Sequence, residues 1–383
     1  MAATLPAGIP ASHPAVATPG PHQPLVIIDQ PTELPKPDEA LVHVEWTSST
    51  PLDLHRADGG FAIQNFPFVM GCSLAGTVVA LGADEGADDT HLRVGDKVFG
   101  FVADYLPREA GVQTYSTVPT YRISKLPANL TLQEAVAVPT NLVTAFHTIT
   151  TDLGLDLPWP IPENWKPAEA ETTILVWGAA SSVGLYTVQV LRHWGYKNVL
   201  AVASGKHHAD LEKLGAAACF DYTKADVVER ILAHTPSSSA GPKVPLIIDC
   251  IGSTEGTLWP LSKIAEKGSV VAVMLPIIHV HAEEDRVPEY EEDAAKVLVG
   301  EWKEGVVLKN VRTFLYAENK FYRDHLQPEV IPTLLEQGVI QPNKLRVIQG
   351  DTMLERAQTA LNLLRNRAPS GEKFVWRVAE EEK

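Results

Sequence analysis

Between Ile174 and Leu275 short apolar runs alternate with amphipathic ones, and this alternation limits the fold more than any other feature of the chain. Ile174–Trp177 predicts a strand, Val183–Trp194 a helix, Val199–Ser204 a strand and His207–Leu214 a helix. A short strand near Ala218–Phe220 follows, then a helix over Ala225–Ala233, a strand over Leu246–Cys250, a helix around Leu258–Ile264 and a strand over Ser269–Leu275. Alternation of this kind specifies a parallel sheet with helices on both faces.

The first strand of the series runs into a turn of small residues. Trp177-Gly178-Ala179-Ala180-Ser181-Ser182-Val183-Gly184 leads straight into the helical stretch Leu185–Trp194. Small side chains let a backbone approach a diphosphate, and a helix amino terminus offers unpaired N–H groups and the positive end of a dipole. Of the usual three-glycine spacing only Gly178 and Gly184 remain, with Ala180, Ser181 and Ser182 in the middle. A purely structural strand-to-helix turn is the competing reading, and the alternation downstream weighs against it. The second strand ends at Ser204, followed by Gly205, Lys206, His207 and His208. An acidic residue there would bind ribose hydroxyls and repel an adenosine 2'-phosphate. A hydroxyl and a nearby ammonium favour NADPH over NADH, against the plainer reading of a solvated loop.

The rest of the chain is of different texture. The first 24 residues are rich in Pro and Ala, and prolines at 6, 10, 14, 19, 21 and 24 predict an extended arm. From Leu25 to about Ile123, β-branched runs at Leu41–Trp46, Leu74–Leu81, Lys97–Val102 and Tyr115–Val118 predict an irregular β domain. Leu132–Val138 and Leu142–Ile149 are helical in pattern, and the Pro- and Trp-rich connection Asp152–Glu171 is long enough to line or cover something. Beyond the alternating region, Pro328–Gln337 and Met353–Arg365 predict helices and Asn343–Val347 and Lys373–Val378 strands.

Composition narrows the class. With 383 residues, 45% of them hydrophobic and 21% charged, the chain can build large cores, which excludes global disorder. No apolar run is long enough to span a membrane, no amino-terminal leader pattern is present, and the ending Glu381-Glu382-Lys383 matches no common targeting signal. These features predict a soluble, cytoplasmic protein without a membrane partner. The net charge of -15, drawn partly from Glu283–Glu304 and the tail Glu380–Lys383, comes with no basic stripe, so nucleic acid is not an expected partner. Cys72, Cys219 and Cys250 are too few and too dispersed for a disulfide framework or a four-cysteine zinc lobe, and are read as buried thiols in a reducing compartment.

Several motifs together resemble the medium-chain dehydrogenases/reductases, and within them the fungal enoyl reductases of lovastatin type that serve polyketide synthases in trans. The likeness rests on Pro51-Leu52-Asp53-Leu54-His55, on Met70 through Val79, and on Val94-Gly95-Asp96-Lys97-Val98-Phe99-Gly100. It continues through Gly178–Gly184, Phe220-Asp221-Tyr222, Ile248-Asp249-Cys250-Ile251 and Ser370-Gly371-Glu372-Lys373-Phe374-Val375. The resemblance implies an α/β protein: a GroES-like β-rich catalytic domain over 25–141 and 318–383, with an inserted Rossmann domain, a doubly wound parallel sheet, over 142–317 and the active site in the cleft between them. It places Ala180, Ser181, Ser182 and Val183 at the diphosphate. Ser204, Lys206, Tyr222 and, less directly, His207 fall at the adenosine phosphate, and Ile251 and Leu275 towards the nicotinamide. It also brings His55 to the end of the Pro-x-Asp motif, where such reductases carry a lysine, and Thr144 to a threonine in the helix entering the nucleotide domain. His55 could donate to a carbonyl or a phosphate, although the change from lysine means that the role does not transfer directly; the competing reading of Thr144 is an ordinary helix threonine bonded to its own backbone.

Zinc enzymes of the superfamily carry a cysteine near the segment matching Thr50–Asp53 and a histidine–glutamate pair after the glycine matching Gly71. This chain has Thr50-Pro51 and Cys72-Ser73 there, and a catalytic zinc needs about three protein ligands. No metal is therefore expected; His279 and His281 beside Glu283 and Glu284 read as an exposed acidic loop. Alcohol oxidation needs a Lewis acid or base, whereas reducing a conjugated C=C bond needs hydride, an oxyanion stabiliser and a proton. The expected substrate is a small molecule or an acyl thioester, with a polyketide synthase as a partner. Alternatives are a quinone oxidoreductase or free enone reductase, a non-redox NADPH-binding protein, and an enzyme redirected to an uncommon reaction. Relatives dimerise through an edge strand, read here as Ser269–Leu275; the acidic segment after it favours a monomer over a homodimer.

Overall fold

A computed structural model describes residues 5–82, 92–103, 105–235 and 241–379. The chain divides into two units: unit 1 takes in Met1–Val143, Ala282–Val287 and Phe314–Lys383, and unit 2 takes in Thr144–His281 and Pro288–Thr313. Unit 1 begins with β1 (Ser12–Thr18), β2 (Val26–Pro31), β3 (Glu39–Ser49), α1 (Pro51–Gly59), β4 (Phe68–Val69), β5 (Ser73–Leu81), β6 (Lys97–Phe101), β7 (Tyr115–Pro119) and β8 (Ile123–Lys125). Two helices follow, α2 (Leu132–Val136) and α3 (Pro139–His147), the second continuing into unit 2. Unit 2 then runs through β9 (Ile174–Trp177), α4 (Ser182–His193), β10 (Val199–Val202), α5 (His208–Leu214), β11 (Ala218–Phe220), α6 (Val227–His234), β12 (Leu246–Asp249), α7 (Trp259–Ile264) and β13 (Val270–Met274). It closes with β14 (Ile277–Val280), β15 (Glu289–Glu291) and β16 (Val307–Val311), and the chain returns to unit 1 for α8 (Ile331–Glu336), β17 (Lys344–Val347), α9 (Met353–Arg365) and β18 (Glu372–Arg377).

In unit 2 six strands form a sheet in the order β11-β10-β9-β12-β13-β16, every pair parallel, while β14 and β15 pair separately and antiparallel. Numbered along the chain this is 3-2-1-4-5-6, the doubly wound arrangement in which ligands bind beyond the carboxyl ends of the strands, where the order reverses. All four residues of β9 and of β10 are buried, as strands covered on both faces must be. The core joins Leu175, Trp177, Leu200, Val202, Ile247, Val271 and Val273 to Ile231, Leu258 and Ile264 from the helices.

Unit 1 is built on a sheet ordered β17-β18-β3-β5-β6-β8, with β7 also pairing β3. Its core packs Val42, Val44, Leu74, Val78 and Val98 against Leu54 of α1 and Leu361 of α9. Val42 and Val44 on β3, and Leu74 and Val78 on β5, fall at even spacing, so one face of each strand reaches the core.

Three expectations change. The first 24 residues are not simply an arm: Ser12–Thr18 is the middle strand of a second sheet, β2-β1-β4, with Ala15, Val16 and Ala17 fully buried. Pro14 is accommodated because it lacks only the donor, and its carbonyl accepts the Thr114 N–H at 3.2 Å. Ser269–Leu275 is not the edge of the nucleotide-unit sheet either. β16 pairs with β13 from Val270↔Val307 to Met274↔Val311, and this short, half-exposed strand has no strong apolar signature. Finally, Ala282–Val287 belongs to unit 1, which interrupts the span 142–317 expected as one domain. The Asp152–Glu171 connection is fastened to the far end of α4: Trp194 Nε1 donates to the Pro158 carbonyl and the Tyr196 hydroxyl to that of Asp156, both at 3.0 Å. Asp104 and the tail Glu380–Lys383 lie outside the described residues.

Candidate functional site

The carboxyl ends of β9, β10, β11, β12 and β13 lie along one edge of the unit 2 sheet, with Trp177 level with both Val202 and Asp249, and Asp249 level with Val273. Every expected cofactor residue follows one of these ends. At the centre Gly178 takes φ +76, a left-handed conformation that disfavours side chains. The N–H groups of Gly178 and Ala179 both donate to the Val202 carbonyl at 3.0 Å, and Ser181 N–H returns to the Gly178 carbonyl at 2.8 Å. A Cβ on Gly178 would lie 2.6 Å from Ile251 Cγ1, and one on Gly184 would lie 2.6 Å from Ala179 Cα. Both glycines are therefore required sterically, although the middle one of the usual triplet is missing.

Ser181 caps α4, its hydroxyl accepting the Gly184 N–H at 3.1 Å. The N–H groups of Ser182 and Val183 occupy the first turn, where a helix supplies no carbonyl for them. Ala180, Ser181 and Ser182 are half-buried and Val183 is buried, leaving a small-residue bend with donors at its mouth. The arrangement can receive a diphosphate.

Ser204, Lys206 and His207 share one turn: Ser204 precedes a 3-10 segment over Gly205–His207, which runs into α5. Lys206 is exposed and His207 half-buried. Asp221, to which the sequence assigns no role, anchors this turn. Its carboxylate accepts the N–H and hydroxyl of Thr223 at 3.0 and 2.8 Å and also the Gly205 N–H, and these bonds, Thr223 first, hold its pKa below the ordinary carboxylate value. The next residue, Tyr222, is 52% exposed and so available as a flat surface for a ligand.

At the other side of the switch point Asp249 organises the turn that carries Ile251. Its Oδ1 accepts the N–H groups of Ile251 and Gly252 at 3.0 and 3.1 Å, and Oδ2 accepts the Thr257 hydroxyl at 2.5 Å. Burial pushes the Asp249 pKa up to about 6, against those three donors. The Cys250 thiol bonds the Ser181 side chain, so the phosphate turn and this turn are tied directly. Leu275 follows β13, and the preceding Met274 carbonyl packs so closely on Gly252, at φ +69, that a Cβ there would lie 2.3 Å from it. The sequence signal for Asp249 is its place in the Ile-Asp-Cys-Ile run; no spacing rule marks it as the organiser.

The two candidate catalytic residues are buried. His55 lies in unit 1 on α1, which starts with Pro51 after Thr50, and Asp53 Oδ2 accepts the Thr50 N–H at 2.7 Å. Thr144 stands on α3, where the Thr313 hydroxyl donates to its Oγ1 at 3.1 Å and its own carbonyl accepts the Thr148 hydroxyl at 2.8 Å. Its side chain therefore has a partner far along the chain as well as its place in the helix. Of the remaining histidines weighed for metal, His279 Nδ1 bonds the Thr254 hydroxyl at 2.8 Å.

A zinc ion would need donors around Cys72, but its neighbours in unit 1 are Thr140, whose hydroxyl lies 4.0 Å from the sulfur, together with Arg56 and Lys373, two cations, and the single carboxylate Asp53. Among the described residues no group of three or more His, Cys, Asp or Glu side chains is placed to hold a metal ion. The donor set does not fit zinc. All three cysteines are free thiols, Cys72 buried and Cys219 and Cys250 only half-buried.

A parallel sheet in this order, with a capped small-residue bend at its switch point, defines a dinucleotide-binding unit. Two family models agree: the alcohol dehydrogenase GroES-like domain matches residues 36–145, and the zinc-binding dehydrogenase family matches residues 182–288. A trans-enoyl reductase of Aspergillus terreus is 33% identical over 227 residues, 58% of this chain and 72% of that protein. The enoyl reductase component of the lovastatin nonaketide synthase of the same species is 28% identical over 356 residues, covering 89% of both chains. Among solved structures, a mycobacterial protein complexed with NADPH superposes with a TM-score of 0.66 at 21% identity, over 96% of this chain and 100% of that one. The chain belongs to the medium-chain dehydrogenase/reductase superfamily and is an oxidoreductase. No helix among the described residues is long and apolar enough to cross a membrane.

Proposed function

We propose that the chain is a zinc-independent, NADPH-dependent reductase of an activated C=C bond, acting as a trans-acting enoyl reductase on an acyl thioester. The observation that carries the reading is the cradle formed by Gly178, Ser181 and Gly184 against Ile251, combined with a donor set around Cys72 that does not fit a metal. The similarity to proteins named trans-enoyl reductases supports the substrate class and a polyketide synthase as partner, and the NADPH complex of the mycobacterial neighbour supports the cofactor.

Bound NADPH supplies hydride to the β carbon of the conjugated system. The residues of the chain bind, orient and stabilise. Ser182 and Val183 N–H groups would receive the diphosphate on the α4 dipole, and Ser204 and Lys206 would receive the 2'-phosphate, with Tyr222 available to the adenine side. Ile251, packed against Gly178, and Leu275 would flank the nicotinamide end of the bound cofactor. Charge gathering on the carbonyl oxygen calls for a hydrogen-bond donor, and His55 is assigned that role. Thr144, whose Oγ1 accepts the Thr313 hydroxyl, is assigned to orient nicotinamide or substrate.

Incubating the pure protein with NADPH and either a crotonyl thioester or a quinone tests the reading. Loss of reduced-nicotinamide absorbance with the thioester, undiminished by a chelator, is expected. Oxidation of NADPH by the quinone alone, or activity abolished by the chelator, contradicts it.

A further inference from the structure

The candidate cofactor residues of unit 2 follow the strand ends in spatial order: Tyr222 after β11, Ser204 and Lys206 after β10, Gly178 to Val183 after β9, Ile251 after β12 and Leu275 after β13. The adenosine end therefore belongs to one side of the sheet and the nicotinamide end to the other. β16 is the next strand on the nicotinamide side, and none of the candidate residues lies on it. Its last residue, Val311, pairs with Met274 of β13, so Thr313 stands just past the level of Leu275, one strand further out. There the Thr313 hydroxyl donates to Thr144 Oγ1 at 3.1 Å, a contact between residues 169 positions apart. Thr313 is half-buried and Thr144 buried. A second contact keeps the two segments aligned. The helical segment Thr148–Asp152 that extends α3 packs on β16, where Lys309 lies within electrostatic range of Asp152. Thr144 to Asp152 is about 12 Å of helix and Thr313 to Lys309 about 13 Å of extended chain, so both contacts hold at once with the helix antiparallel to the strand.

A threonine in a helix divides between two χ1 rotamers, because its hydroxyl can turn back to bond a carbonyl of the preceding turn. Thr148 and Thr150 do so, donating to the Thr144 and Phe146 carbonyls, each at 2.8 Å. A donor arriving from another element distinguishes the rotamers, since they carry Oγ1 to different places and only one meets it. We propose that Thr313 is a positioning residue: its hydroxyl, held just beyond the end of β16, selects the Thr144 rotamer, and through Thr144 it sets the orientation of the nicotinamide end. The second half of this statement rests on the reading that Thr144 serves nicotinamide or substrate.

The test uses the full chain and reads Thr144 before it reads turnover. In a threonine-labelled sample without cofactor, the Thr144 methyl signal is assigned with Thr144→Val, and its three-bond couplings report χ1. Thr313→Val, similar in shape but without the hydroxyl, is expected to move these couplings from single-rotamer values to averaged ones. With NADPH and a crotonyl thioester, the same variant is expected to keep NADPH affinity within about twofold and to lower kcat about tenfold with KM little changed. The primary isotope effect from NADPH deuterated at the transferable position should rise, which a mere loss of folded protein would not produce. Thr313→Ser keeps the hydroxyl and should restore the couplings and most of kcat. In a Thr144→Val background, Thr313→Val should lower kcat no further. Couplings unchanged in folded Thr313→Val overturn the proposal, as do a Thr313→Ser variant as slow as Thr313→Val or kcat losses that multiply in the double variant. Should Thr313→Val not fold, Thr313→Ala takes its place with the same expectations and the same overturning results. Failure of the wild-type chain to reduce any thioester would instead remove the functional reading, while the couplings, read without cofactor or substrate, would still decide whether Thr313 sets Thr144.

Discussion

Gly178, in the candidate cofactor site, has little room for change. Its φ of +76, and the mere 2.6 Å that would separate an added Cβ from Ile251 Cγ1, make Gly178→Ala doubly unfavourable: strained in backbone and colliding across the switch point. Fluorescence titration should show NADPH affinity reduced by about tenfold or more, equivalent to about 1.4 kcal/mol, with the far-ultraviolet circular dichroism retained. A different kind of residue-scale effect comes from His147 and Asp152, whose Nε2 and Oδ2 face each other at 4.0 Å, too far for a hydrogen bond. Burial lowers the His147 pKa to about 4 and raises that of Asp152 to about 7. Both groups are therefore neutral between these values. For Asp152 the folded pKa exceeds the unfolded one, so the folded form binds the proton more tightly and stability falls as pH rises from about 4 to about 7. For His147 the folded pKa is the lower, and stability falls as pH drops from about 6.5 to about 4. Asp152→Asn should accordingly raise Tm at pH 8 by more than at pH 5. Equal shifts at the two pH values would show that this carboxyl is not held protonated by the fold.

At the scale of elements, the turns that follow β9, β10, β11 and β12 are each fixed by a short polar device that is invisible to hydrophobic periodicity. Ser181 caps α4, Asp221 ties the Ser204–His207 turn to Thr223, and Asp249 gathers the N–H groups of Ile251 and Gly252. Ser181→Ala should cost about 1 kcal/mol in chemical denaturation and weaken NADPH binding as well, because the same side chain bonds Cys250. A stability loss with unchanged affinity would show that the cap serves the helix alone. Strands and helices from Ile174 to Met274 are legible in the sequence because each buries an apolar run of the correct period, and their ends move by only a few residues. β1, with Pro14 inside it, and α1, with Asp58, Arg56, His55 and Asp53 all buried, are not legible. Prolines and charges ordinarily argue against a central strand and a buried helix face, and only tertiary partners such as Thr114 and the Arg365–Asp58 ion pair at 2.8 Å reverse that expectation. β16 escapes for the opposite reason, since an outermost strand needs little apolar sequence.

At the scale of the molecule, the nucleotide unit has its own continuous core and sheet, so a ligand bound at the sheet edge should stabilise it by mass action. NADPH at 100 times its dissociation constant should add about 2.7 kcal/mol, seen as a rise in Tm that NADH at equal concentration does not match. An equal rise with both would remove the assignment of Ser204 and Lys206 to a 2'-phosphate. The central claim is the transfer of hydride from nicotinamide to carbon, and one experiment addresses it with least intervening inference. The wild-type protein is given NADPH deuterated at the transferable position together with a crotonyl thioester, and the product is analysed by mass spectrometry and proton NMR. One deuterium, located on the β carbon of a saturated thioester, is the predicted result. A saturated product without label, or labelled cofactor consumed with the thioester intact, would contradict it.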